Sequence, residues 1–162
     1  MRIYFIISLL ILCLACNNQP DNSNNNSVSK NNSNAEVKKT DVPVYTYEII
    51  NTYKHDSKAF TQGLVFHNGF LYESTGERGE SSLRKVEPET GKVLQKFDLE
   101  DQFFAEGMTI LGDKIYQITW QNGKAFVYNL NDFKFLKEFS YKGEGWGLTN
   151  DGTNLLMSDG TH

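Results

Sequence analysis

From residue 44 onward, apolar and polar positions alternate in short runs, and most of these runs stop at a turn signal. A period of two is what a half-buried strand requires, because successive side chains point to opposite faces. "VYTYEII" (44–50) reads as a strand. "GLVFHNGFLYEST" (63–75) reads as two strands around His67-Asn68-Gly69, and Asn-Gly is a strong hairpin signal. "SSLRKVEPETGKVLQKFDL" (81–99) is a second pair turning at 87–91, and "MTILGDKIYQITW" (108–120) a third turning at Gly112-Asp113. "KAFVYNLNDFKFLKEFSY" (124–141) turns at Asn131-Asp132, and "LTNDGTNLLMS" (148–158) at Asp151-Gly152. No segment carries a convincing 3.6-residue apolar period; residues 126–139 come closest, and turn residues interrupt them.

The hairpins repeat. Gly63 and Gly107 are each followed nine residues later by a tyrosine, Tyr72 and Tyr116, and Gly147 by Leu156. Gly63 to Gly107 is 44 residues and Gly107 to Gly147 is 40. The second hairpins superpose too, 85–97 on 127–139 at an offset of 42. Four strands in a unit of this length predict an all-β protein, a β-propeller with one unit per blade. Residues 44–162 would hold fewer than three such blades, so the pattern predicts part of a longer ring. An incomplete ring would expose strand edges and flat faces between blades.

Composition agrees. Aromatic residues make up 13% of the chain and there are only three prolines, which suits strands better than helices. The net charge is −4 with scattered Lys and Arg, which argues against nucleic acid as a partner. The start of the chain is different. Met1-Arg2 and the apolar run Ile3–Leu14 read as a signal peptide, too short to span a bilayer comfortably. Leu14-Ala15-Cys16 resembles a bacterial lipobox, with Cys13 where leucine is usual, and implies a lipid on Cys16. Ordinary signal cleavage or an uncleaved anchor is the plainer alternative. Residues 17–43 are dominated by Asn and Ser; they predict a disordered tether, because so few apolar side chains cannot offset the entropy of ordering. The chain is therefore expected to be an exported lipoprotein, anchored to a membrane in the periplasm or at the cell surface. Cys13 and Cys16 are its only cysteines, so the folded part, 44–162, has no disulfide and no thiolate metal site. His55, His67 and His162 lack metal-ligand spacing.

The repeat also gathers candidate chemistry. Immediately before the repeated glycine stand Gln62 in "FTQGL", Glu106 in "FAEGM" and Trp146 in "GEGWGL". The innermost strand of each blade lines the channel of a propeller, so these side chains are expected to converge at its mouth. A carboxylate, a carboxamide and an indole together describe a small-molecule site. Taken singly, each has a plainer role: Glu106 and Gln62 as solvated edge residues, Trp120 and Trp146 as packing between blades. Glu73 is a competing carboxylate, expected to pair with Arg78 or Arg84. Ser81, Ser82 and Arg84 read as structural, and "SDG" (158–160) as a tight turn.

"AFTQGL", "YESTGERGESSLRKV", "FAEGMT", "YQITW" and "EGWGLTNDG…LLMSDGT" resemble the plant and bacterial type of glutaminyl-peptide cyclotransferase, or glutamine cyclotransferase, over about residues 45–162. The resemblance implies a five-bladed propeller that converts the N-terminal glutamine of a peptide to pyroglutamate and releases ammonia. It implies no metal and no cofactor, and a monomer when the ring is complete. Matched position by position, it implies Glu106 as the catalytic acid and Phe60, Gln62, Trp120 and Trp146 as substrate-binding residues. The family also uses a tryptophan, an asparagine and a lysine from later blades, beyond His162, so the activity of this chain by itself is in question. The chemistry suits these residue types, because the nucleophile is the substrate's own amine and only a proton has to be moved. A non-catalytic surface propeller that binds a peptide or a sugar is the reading left beside it.

Overall fold

A computed structural model describes residues 42–161. The expectations for the signal sequence, Cys16, most of the tether and His162 lie outside the described residues.

Each hairpin of the sequence pattern forms where its turn residues permit it. β1 (Thr61–His67) and β2 (Phe70–Thr75) meet at Asn68-Gly69, both with positive φ, the condition for a two-residue turn matched to strand twist. β3 (Ser82–Val86) and β4 (Val93–Asp98) turn at Gly91, whose φ is 71°. The pattern repeats in β5 (Ala105–Leu111), β6 (Lys114–Thr119), β7 (Lys124–Asn129) and β8 (Phe135–Ser140). A shorter pair follows, β9 (Leu148–Asn150) and β10 (Leu155–Met157). Among the described residues these make two four-stranded antiparallel sheets, β1-β2-β3-β4 and β5-β6-β7-β8, and a two-stranded sheet β9-β10. They are successive blades of a β-propeller, with β1, β5 and β9 side by side as the inner strands.

The main core lies between the first two blades. The face of the first blade that carries Val65, Tyr72, Leu83 and Phe97 meets the face of the second that carries Met108, Ile115, Phe126 and Tyr128. Phe97 and Tyr128 rings lie 5.1 Å apart and Phe103 and Phe126 rings 5.0 Å, close tilted contacts worth about 0.5–1.5 kcal/mol each beyond area burial. Gln117 crosses the same interface, donating from Nε2 to Ser74 Oγ at 2.8 Å.

The segment 44–50 and the opposite face of the first blade each depart from the sequence-based expectation. "VYTYEII" (44–50) forms no strand, and Tyr47, Ile49 and Ile50 are exposed. Alternation prepares a segment for a sheet, but a strand exists only when another strand supplies its hydrogen bonds, and none is paired with this one. Glu73, fully buried on that face, pairs with neither Arg78 nor Arg84. It takes His55 at 2.8 Å from the segment that leads into β1 and the hydroxyl of Thr61, the first residue of β1, while Arg84 pairs with Asp56 at 2.9 Å.

The repeated glycines have a packing cause. A Cβ at Gly63 would lie 2.7 Å from Met108 N, and one at Gly107 would lie 2.7 Å from Trp146 O. Backbone of one inner strand runs against backbone of the next, and only glycine leaves room.

Candidate functional site

Two irregularities aim the site residues. Ala105 pairs with Thr119 and Met108 with Gln117, so three steps along β5 face two along β6. In β1, Thr61 pairs with Thr75 and Gly63 with Ser74, two steps facing one. Such bulges release a side chain from strict alternation. They fall at Glu106 and at Gln62, which in regular strands would share a face with Met108 and Leu64. Released, the two meet: Gln62 Nε2 donates to Glu106 Oε1 at 2.8 Å.

Their meeting place is a cleft of ≈ 560 Å³ whose lining includes Gln62, Glu106, Trp120 and Trp146, with Phe104, Gly147 and Ser158 completing it. Four of the five residues anticipated for the site thus share one cleft. The fifth, Phe60, is half-exposed and stands outside the lining; its ring packs edge-on against Phe104 at 6.1 Å, and Phe104 packs against Trp120 at 5.7 Å. The motif "FAEGM" contains Phe104, which the sequence-based expectation passed over although the 44-residue repeat sets it at the position of Phe60. Its neighbour Gly76 is the clue in hindsight, since a side chain there would run into the Phe104 ring.

Backbone bonds fix the frame. Trp120 N donates to Phe104 O at 2.9 Å, Gly107 N to Trp146 O at 2.8 Å, and Trp146 N to Ser158 O at 2.9 Å. Ser81 Oγ accepts from Ala105 N at 3.0 Å, tying the first blade to the start of the strand that carries Glu106. Ser158 Oγ accepts from Gly147 N, and Asp159 accepts from Thr161, the closed turn expected of "SDG".

Glu106 is half-buried, and its carboxyl is pushed above the ordinary glutamate range, first by burial. The hydrogen bond from Gln62 opposes the shift, and the charge of Glu144 adds to it. A carboxyl whose hold on its proton is strengthened by burial is better suited to general acid–base work than an ordinary glutamate. Among the described residues, no group of three or more His, Cys, Asp or Glu is placed to hold a metal ion. Glu73, the competing carboxylate, does not line the cleft.

A family model for glutamine cyclotransferase matches residues 23–162. A glutaminyl-peptide cyclotransferase of Arabidopsis thaliana is 42% identical over 116 residues, which are 70% of this chain and 36% of that protein. The crystal structure of the Myxococcus xanthus glutaminyl cyclase matches with a TM-score of 0.64 at 39% identity, over 70% of this chain and 47% of that one. BamB from Moraxella catarrhalis matches with a TM-score of 0.50 at 16% identity, over 65% of this chain and 32% of that one, a likeness of fold alone. The chain spans between 36% and 47% of the length of the two cyclase relatives. A family match over residues 23–162, joined by relatives that agree in sequence and in blade structure, means that this chain belongs to the glutamine cyclotransferase family.

Proposed function

We propose that the protein is a glutaminyl-peptide cyclotransferase, which closes the N-terminal glutamine of a peptide to pyroglutamate and releases ammonia. The observation that carries this reading is the Gln62–Glu106 pair at 2.8 Å in a cleft that also presents two indoles. The neutral α-amine of the substrate attacks the γ-carboxamide carbon of its own residue, and a C–N bond forms. Glu106 takes the proton that the attacking nitrogen sheds and delivers it to the carboxamide nitrogen. The bond to that nitrogen breaks, ammonia leaves, and Glu106 ends as the carboxylate it began as. No nucleophile from the protein, no metal and no cofactor is needed, because the reaction is intramolecular and the site mainly holds the side chain folded back. Gln62 keeps Glu106 in place with one N–H; its second N–H is a donor for the oxygen of the tetrahedral intermediate. Trp120 and Trp146 wall the slot, and Phe60 supports it through Phe104.

The test is ammonia release from an N-terminal glutamine peptide by the intact protein and by Glu106→Gln. That variant keeps the shape and an oxygen for Gln62 but cannot carry a proton. Turnover should fall by at least about 100-fold, the lower range for losing general acid–base catalysis. Glu73→Gln should leave turnover nearly intact. The reverse result would mean that the wrong carboxylate has been assigned.

We also propose that Cys16 carries a lipid that tethers the protein to a membrane surface. Mass spectrometry of the mature N-terminus decides this; an unmodified terminus downstream of Cys16 excludes it.

A further inference from the structure

One carboxylate at the cleft has no part in the chemistry above. Glu144 lies in the loop between β8 and β9, two residues before Trp146. Its Oε2 accepts from the indole N–H of Trp120 at 2.8 Å and from that of Trp146 at 3.1 Å, and its Oε1 accepts from Gln121 Nε2 at 3.2 Å. An indole has a single polar group, its N–H. Trp120 and Trp146 are both tryptophans of the chain, and both give that group to the same oxygen.

The two rings come from different blades. Trp120 follows β6 of the second, and Trp146 precedes β9 of the third. Nothing in either blade by itself fixes the gap between them. The loop that carries Glu144 is pinned to the second blade, since Gly145 N donates to Trp120 O at 2.8 Å. Gly145 has no room for a side chain there, because a Cβ would lie 2.8 Å from Thr119 O. The carboxylate is therefore held at a fixed place, and the rings are held to it.

We propose that Glu144 is a positioning residue of this cleft: one carboxylate oxygen spaces the two indole walls and so sets which substrate side chain fits between them. The proposal deepens the cyclotransferase reading and rests on it.

A second effect follows from its charge. The Glu144 carboxyl is held below the ordinary glutamate range, chiefly by the hydrogen bond from Trp120, then by those from Gln121 and Trp146. It therefore stays an anion to lower pH than an ordinary glutamate, and it disfavours a second anion at Glu106. The other groups facing Glu106 are uncharged there. Gln62 is an amide. Tyr141 gives its hydroxyl proton to Thr119 O, and burial pushes its own ionisation further up.

Three variants of the intact protein test this: Glu144→Gln, Glu144→Ala and Glu106→Gln. Glu144→Gln keeps an acceptor oxygen and loses the charge. The acid limb of its kcat/KM profile should move to lower pH, because Glu106 then stays ionised further down. Glu144→Ala frees both rings. Its KM should rise about tenfold, the order expected for losing one charge-assisted hydrogen bond at the slot, with a smaller change in kcat. Tryptophan emission gives a readout independent of activity, because Trp120 and Trp146, the two tryptophans of this sequence, both bond Glu144. Within the pH range where far-UV circular dichroism is constant, the parent should show an emission change below the ordinary glutamate range. That change should persist in Glu106→Gln and vanish in Glu144→Gln. An emission change retained in Glu144→Gln overturns the proposal, as does a Glu144→Ala enzyme with unchanged KM and unchanged acid limb. A parent that releases no ammonia overturns the cyclotransferase reading instead, and the emission titration then decides by itself whether Glu144 holds the rings.

Discussion

Gln62 and Glu106 occupy one repeat position in two sheets built alike, yet the strands that carry them live in different surroundings. Around β5, Gly107, Met108 and Thr109 are buried, with the first blade on one side and β9 on the other. Along β1 the equivalent of Met108 is Leu64, 57% exposed where Met108 is 2% exposed, and Phe66 is exposed as well. The first blade buries a polar cluster on that face instead, with Glu73 and Arg84 held by His55 and Asp56. A blade is a single sheet with two faces to cover, and what decides its stability is what lies against each face. Among the described residues the same hydrophobic position is covered in the second blade and open in the first.

The sharpest way to break this comparison is a pair of truncations at the shared position. Met108→Ala should cost about 3 kcal/mol, in the middle of the range for emptying a buried site. Leu64→Ala should stay within about 0.5 kcal/mol, as surface changes do. Urea midpoints of the two variants against the parent read the difference. Equal losses would mean that Leu64 is covered in solution, and the contrast between the blades would fail.

A smaller contrast separates two of the glycines. At Gly107 an added methyl meets fixed backbone, with Trp146 O at 2.7 Å, whereas at Gly147 it meets only the Ser158 hydroxyl at 2.9 Å. Gly107→Ala should cost about 2 kcal/mol, typical of overpacking where nothing can yield. Gly147→Ala should cost under about 1 kcal/mol, because a serine side chain can turn away. Thermal unfolding of both variants measures this. A Gly107→Ala protein as stable as Gly147→Ala would show that the inner strands do not touch through their backbones.

Much of the fold was legible because its signals are local. Asn68-Gly69, Gly91 and Gly112 fix their turns through positive φ, and alternation between them fixes strands. The site was legible at Gln62, Glu106 and Trp146 for another reason: a repeat turns one sequence position into one place in space. What escaped depends on partners remote in sequence. "VYTYEII" has the pattern of a strand, and no strand among the described residues pairs with it. Glu73 finds His55 because the chain entering β1 crosses that face, which no spacing announces. Phe104 and Glu144 look like a core aromatic and a loop acid until two blades are placed side by side. Phe60 matched a family motif, yet packing against Phe104 leaves it one ring behind the cleft.

The bulge at Glu106 and Gly107 has a consequence in time. It leaves the Gly107 N–H to be taken by Trp146 O in the next blade, 39 residues later in the chain and 40 after Glu106. A ribosome adds 5–20 residues each second, so roughly 2–8 s pass between the emergence of the carboxylate and that of the tryptophan which completes its surroundings. The last strand of the second blade, β8, emerges within the same interval and ends six residues before Trp146. A nascent chain thus holds Glu106 before it holds the Trp146 wall of its cleft and the Glu144 charge that adds to its proton affinity.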